Sequence, residues 1–161
     1  MGELLELSEA RVLRESLRQE GKTLVFTNGH FDLLHAGHLD YLEKARALGA
    51  ALFVGLNGDA STARLKGPGR PLVPARERAR LLAALMTVRA VIIFEEDTAD
   101  KLLRALQPDI YVKGGDYADK PLPERATVEA YGGRVELIEY LRGHSTTQLI
   151  NRIRKLDGPT E

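Results

Sequence analysis

The stretch Thr23–Leu48, TLVFTNGHFDLLHAGHLDYLEKARAL, decides how the rest of the 161-residue chain is read. Its opening residues, Thr23–Thr27, are β-branched and apolar, the composition of a strand buried on both faces. From Ala36 to Leu48 the apolar residues Leu39, Leu42, Ala45 and Leu48 recur at helical spacing, and Gly49 follows as a stop. Between them lies Asn28-Gly29-His30-Phe31-Asp32-Leu33-Leu34-His35-Ala36-Gly37-His38, where a strand ends and a helix begins. A helix N-terminus carries unpaired N–H groups and a partial positive charge, and both suit phosphate. His35 and His38 are three residues apart and share one face of the first turn. Gly37 removes a side chain where a phosphate must approach the backbone, and Gly29 permits the tight turn out of the strand. Two imidazoles placed there can donate hydrogen bonds to oxygens whose charge grows during phosphoryl transfer. The same pair could instead bind a metal, although no third strong ligand is evident in the sequence.

Outward from this stretch the same unit repeats. Ser8 can cap a helix over 8–20 that carries Val12, Leu13 and Leu17 and ends at Gly21. Further strands are expected at Ala51–Leu56, Val88–Phe94, Asp109–Val112 and Arg134–Ile138. A Gly/Pro-rich loop, ARLKGPGRPLVP at 63–74, leads to a helix that begins near Pro74 and carries Leu81, Leu82 and Leu85. Asp97 or Thr98 caps a helix ending near Leu106, a short helix lies near Glu124–Ala130, and Ser145-Thr146-Thr147-Gln148 opens the last one as a capping box. Alternating βα units predict an α/β fold: a doubly wound, mostly parallel five-stranded sheet with helices on both faces and right-handed crossovers. One domain over 1–161 is expected, with an N-terminal helix at 8–20, a core at 21–155 and a tail at 156–161. In such sheets ligands bind beyond the carboxyl ends of the strands, where the strand order reverses.

Composition narrows the function classes. The 23 basic and 23 acidic side chains cancel, so net charge gives no argument for nucleic acid or a membrane as partner. The absence of cysteine excludes disulfides, thiolate metal sites and cysteine nucleophiles. No apolar run approaches the roughly 20 residues that span a bilayer. The N-terminus lacks a basic segment before an apolar one, so no secretory signal is expected and the cytoplasm is the default location. Gly21-Lys22-Thr23 imitates the end of a P-loop, but Ser16 stands where its first glycine belongs and the triplet precedes a strand.

Gly29, Phe31, Asp32, His35, Gly37 and His38 resemble the G-x-F-D-x-x-H-x-G-H signature of the cytidylyltransferase-like nucleotidyltransferases. Phe31-Asp32 and His35 separate the string from the pantetheine-phosphate adenylyltransferase pattern, which has Thr at the first histidine's place. The resemblance implies a Rossmann-like nucleotidyltransferase fold and transfer of a nucleoside monophosphate to a phosphate, with pyrophosphate released and no covalent intermediate. It also implies that the two histidines contact the triphosphate and stabilise the transition state. Arg64–Gly67, Gly69–Pro71, Glu95–Thr98, Val112–Tyr117 and Ser145–Thr147 are further similar to the heptose-1-phosphate adenylyltransferase domain, so the likeness runs from about Gly21 to Lys155. That domain is fused to a sugar kinase in many organisms and is expected here on its own.

The implied catalytic residues are His35, His38 and Lys66. Asn28, Gly29, His30, Phe31, Asp32, Gly37, Arg78, Gly114, Asp116, Ser145, Thr146 and Thr147 are expected at the nucleotide, and Lys113, Asp116, Tyr117 and Arg70 at the acceptor. Lys66 sits on a glycine-punctuated loop able to fold over phosphates, and Lys113–Asp116 directly follows a strand, on the ligand edge of the sheet. Asp116 could hold a sugar hydroxyl or help position Mg²⁺; Arg78 could meet the ligand or form a surface salt bridge. Ser145–Thr147 could offer donors to a ligand or simply cap its helix.

The implied reaction moves AMP from ATP to D-glycero-β-D-manno-heptose 1-phosphate, with Mg²⁺ accompanying ATP and a homodimer expected. A cytidylyltransferase acting on glycerol 3-phosphate is the alternative, and a non-catalytic nucleotide-binding module is the reading from another class. Leu141-Arg142-Gly143-His144 replaces the Arg-Thr-x-Gly-Ile of the cytidylyltransferase branch, which weighs against CTP. His144 stands where relatives often have an apolar residue or Cys, and His30 fills the variable position of the signature.

Overall fold

Successive side chains of a strand point to opposite faces, so an unbroken apolar run such as Leu24-Val25-Phe26 needs a core on each side. Leu24 and Phe26 lie in one buried cluster with Ala10, Leu17, Leu103 and Leu106. Val25 lies in the other, with Leu42, Ala45, Ala79 and Leu82. The computed structural model describes residues 1–118 and 120–156, except for the side chain of Asp116; that candidate's side chain and most of the expected tail therefore lie outside the described residues.

One sheet carries six strands, all parallel: β1 Glu3–Leu4, β2 Leu24–Gly29, β3 Ala51–Asn57, β4 Ala90–Phe94, β5 Ile110–Gly114 and β6 Arg134–Ile138, in the order β1-β4-β3-β2-β5-β6. The helices are α1 Leu7–Gln19, α2 Ala36–Arg46, α3 Asp59–Lys66, α4 Ala75–Ala84, α5 Asp100–Leu106, α6 Arg125–Ala130 and α7 Thr146–Leu156. From β2 the chain steps outward to β3 and β4, then returns to lay β5 against the other edge of β2. The order therefore reverses between β2 and β5, which places a crevice beyond Gly29 and Gly114.

Several expectations are corrected. The sheet has six strands, not five, because Glu3 and Leu4 pair with Ala90 and Val91 along the outer edge of β4. α1 is capped by Glu6 and Glu9 in place of Ser8; the Glu6 amide donates to Glu9 Oε2 at 2.8 Å. α3 occupies a stretch read partly as loop, with Ser61 and Thr62 on its buried side. α2 ends at Arg46 and buries Gly37, Tyr41, Leu42 and Ala45, while Leu39 and Leu48 stay exposed. A three-residue count drifts off the face of a helix with 3.6 residues per turn. α5 begins after Ala99, and Thr98 Oγ1 donates to Asp100 Oδ2 at 2.6 Å without capping the helix. Among the described residues no helix is long and apolar enough to cross a membrane.

Candidate active site

α2 opens without a side-chain cap and with no acid in its first turn; His35 is its N-cap in extended conformation. Its neighbours are closed by carboxylates: Glu95 accepts from the Ser61 amide of α3 at 2.9 Å, and Asp59 from the Ala75 amide of α4 at 2.8 Å. The end left open is the one that faces the crevice. On it the His35 and His38 rings stack, with centroids 3.8 Å apart and planes 22° from parallel. Phe31 packs against the far side of His38 at 5.2 Å. The Nδ1 atoms of both histidines have no hydrogen-bond partner among the described residues, while the His38 ring is also held by a hydrogen bond to the Leu33 backbone. Burial, and then the neighbouring His35, pull the His38 pKa down to about 4. Burial, followed by His144, also holds His35 below the usual imidazole range. At neutral pH both rings are therefore uncharged, each carrying a single N–H.

The turn between β2 and α2 has a different cause from the one its glycines suggest. The left-handed residue is Phe31, at φ 44°, while Gly29 still belongs to β2. Gly37 is needed for contact within the protein: a Cβ there would lie 2.8 Å from His144 Cβ and 3.0 Å from the His35 ring. Asp32 holds the chain after α3. Its buried carboxylate accepts from Arg70 Nε at 2.6 Å and from the Leu72 and Val73 amides at 2.8 and 3.0 Å. Burial pushes its pKa up, but the two amides and Arg70 outweigh that and leave it lowered. Arg70 is thus bound to Asp32 through Nε and still lines the cleft.

Arg78 is no ligand arm: it is fully buried outside the cleft lining. Its salt bridge forms, from a buried guanidinium to the half-exposed Asp59, and the side chain ties four segments together from behind the site. Its guanidinium donates to the carbonyls of Val73 at 2.7 Å, His30 at 2.6 Å and Asn57 at 2.9 Å, and to Asp59 Oδ1 at 2.8 Å. His30 Nδ1 lies 3.0 Å from Thr62 Oγ1. Burial first, then the charges of Lys66, Arg78, Lys113 and Arg70, bring the His30 pKa down to about 4.

A cleft of about 610 Å³ gathers the remaining candidates. Lys66 ends α3, followed by Gly67 at φ 91°, a conformation that L side chains rarely adopt. Among the described residues its ammonium has no hydrogen-bond or ion-pair partner. Asn28 Oδ1 accepts from the Tyr111 hydroxyl at 2.6 Å and from Lys113 Nζ at 3.2 Å, which leaves its –NH₂ as the uncommitted end. Lys113 Nζ also lies 5.2 Å from the Tyr117 ring. Gly114 lies directly beneath the Tyr140 ring, which a Cβ would strike. Ser145 Oγ caps α7 by accepting from the Gln148 amide at 3.1 Å, and Thr146 and Thr147 line the cleft beside it. Asn57, Thr98, Glu124 and Tyr140 also line the cleft, beyond the residues expected there from sequence. Asn57 and Thr98 carry a usable signal, since each follows the apolar run of a strand; Glu124 and Tyr140 arrive from loops and carry none.

The family described as cytidylyltransferase-like matches residues 26–154. "Bifunctional protein HldE" of Syntrophotalea carbinolica is 54% identical over 156 residues, 92% of this chain and 32% of that protein. The protein of the same name from Pelobacter propionicus is 56% identical over 142 residues, 88% of this chain and 29% of that one. The chain thus spans about a third of the length of these relatives. The crystal structure of the lipopolysaccharide core biosynthesis protein from Thermoplasma volcanium superposes with a TM-score of 0.62 at 28% identity, covering 77% of this chain and 100% of that one. Pantoate-beta-alanine ligase from Francisella tularensis shares the fold, with a TM-score of 0.59 at 12% identity over 96% of this chain and 78% of that one.

Proposed function

Because this chain belongs to the cytidylyltransferase-like family, we propose that it is a nucleotidyltransferase acting on ATP and a sugar 1-phosphate, D-glycero-β-D-manno-heptose 1-phosphate, and yielding ADP-heptose and pyrophosphate. The observation that carries the transfer reading is the stacked His35–His38 pair on the open end of α2, which shares one cleft with Lys66, Lys113 and Ser145–Thr147. The heptose reading is supported by the loops Arg64–Gly67 and Val112–Tyr117, and by identities of 54% and 56% to relatives named HldE.

In this reading an acceptor phosphate oxygen attacks the α-phosphorus in line. The new P–O bond forms as the bond to the bridging oxygen breaks, and pyrophosphate departs with the electron pair. His35 and His38 donate N–H groups to the oxygens whose charge grows in that step, and the first amides of α2 add to the same field. Lys66 folds over the phosphates from the end of α3. Asn28 offers its –NH₂ to the nucleotide, since its oxygen is already engaged. Lys113 and the Nη groups of Arg70 meet the acceptor phosphate, with Asp32 fixing the Arg70 arm. Asp32 and Arg78 act here as positioning residues.

Mg²⁺ bound with ATP supplies charge neutralisation at the phosphates. The carboxylates around the cleft suit an ion carried mainly by phosphate oxygens. Asp32 is committed to residues 70–73, Glu124 accepts from the Ala99 amide, and Asp97 pairs with Arg64. Among the described residues no three His, Cys, Asp or Glu side chains converge on a cation site.

A pyrophosphate-release screen of four nucleoside triphosphates against heptose 1-phosphate, other sugar 1-phosphates and glycerol 3-phosphate tests the reading. Turnover is expected with ATP and heptose 1-phosphate. Turnover of CTP with glycerol 3-phosphate, and none with ATP and heptose 1-phosphate, would replace it with the cytidylyltransferase alternative. Nucleotide binding without turnover of any pair would mark a binding module.

A further inference from the structure

We propose that His144 is a third imidazole of this site, donating to the outer phosphates of a bound nucleoside triphosphate, the pair that leaves as pyrophosphate. The proposal rests on the reading of the cleft as a triphosphate site and adds to it a residue outside the α2 signature.

His35 is the ring that both other imidazoles meet. His38 and His35 stack at 3.8 Å, and the His144 ring lies beyond His35, 6.5 Å from it by centroid. His38 is half-buried against Phe31, whereas His144 is exposed. A triphosphate with its reacting phosphate between His35, His38 and the acceptor lysine can reach His144 with its distal phosphates. Gly37 lets the loop before α7 come this close, since a Cβ there would meet His144 Cβ at 2.8 Å. Gly143, at φ 79°, turns the chain just before it.

The ring is also oriented. His144 Nδ1 lies 3.0 Å from the Arg142 carbonyl oxygen, which can only accept, so Nδ1 carries a proton. Nε2 is then the far edge of the ring, without a hydrogen-bond partner among the described residues, in the same lining as His35 and Thr146. In the imidazolium form, held by Arg142 through Nδ1–H, the Nε2–H donates a charge-assisted hydrogen bond to a phosphate oxygen placed there.

The test compares wild type with His144→Ala and His144→Lys. For His144→Ala, the KM for ATP and the inhibition constant of pyrophosphate should both rise about tenfold, the effect of losing one charge-assisted hydrogen bond, while the KM for the acceptor does not follow. His144→Lys should recover most of the pyrophosphate affinity, because it restores a cationic donor without the bond to Arg142. Unchanged constants in His144→Ala, or an acceptor KM that rises in step with that for ATP, would overturn the proposal; the second result would assign His144 to the structure of the α7 start. Calorimetric binding of pyrophosphate with magnesium keeps the two readings separable. If wild type turns over no acceptor, the functional reading falls, and the loss of pyrophosphate affinity in His144→Ala still decides this one.

Discussion

His38 sits between the rings of His35 and Phe31, and its environment sets both its chemistry and its liability. Replacing either His35 or His38 by Ala should lower kcat by about 10²-fold or more, as removal of one transition-state donor does elsewhere. The circular dichroism spectrum should be unchanged, because neither ring belongs to the two buried clusters. Near-wild-type kcat in both variants would defeat the proposed mechanism. The depressed pKa has a thermodynamic counterpart. His38 titrates at about 4 in the fold against 6.5 in the open chain, so the unfolded state binds more protons between those values. Stability is therefore fully present above pH 6.5 and is lost as pH falls towards 4. The urea midpoint of His38→Gln should fall less than that of wild type between pH 7 and pH 4.5; parallel slopes would show that His38 is not the group responsible. The histidine pair was legible because its spacing is a property of one helical turn. The reasons for Gly37 and Asp32 were not, since each answers to a partner brought in from elsewhere, His144 and Arg70.

Among the elements, α3 and the loop after it show how a cleft-lining segment is held from behind. The Arg78 side chain joins the β2–α2 turn, the end of β3, the start of α3 and the loop before α4 in one buried fork. Arg78→Ala should destabilise the protein by about 3 kcal/mol or more, because three carbonyls lose their donor in a closed site. Arg78→Lys should rescue little, since an ammonium cannot reproduce the planar set of donors. A denaturant midpoint for Arg78→Lys equal to that of wild type would contradict the clamp. α3 itself was only partly legible because DASTARLK has no apolar stripe; Ser61 and Thr62 are its buried residues. Its helical start depends on Glu95, 34 positions away, which accepts the Ser61 amide. β1 is not legible in the sequence for a simpler reason: two residues cannot display a period.

Across the whole molecule, the sheet depends on its short first strand for protection of an edge. β1 covers β4 through backbone bonds from Glu3 to Arg89 and from Leu5 to Val91, at 3.2 and 3.0 Å. Deletion of residues 2–5 should bare the β4 edge and produce concentration-dependent association, visible by light scattering, beyond anything wild type shows. Scattering and melting temperature identical to wild type would mean that β1 contributes nothing to the edge. At this scale the sequence by itself determined the alternating βα units, the two buried faces of β2 and the open helix start with its paired histidines. Each of those is written in some five to fifteen contiguous residues, where strand alternation, helical period and turn chemistry act locally. Tertiary structure alone decided that the strand order reverses between β2 and β5, and that Asp32 closes on Arg70 from 38 positions away. It alone decided that Arg78 reaches back 48 positions to His30, and that Tyr111 reaches 83 positions to Asn28. Those contacts follow from how the helices pack on the finished sheet, and no local period carries information about which distant segments that packing brings together.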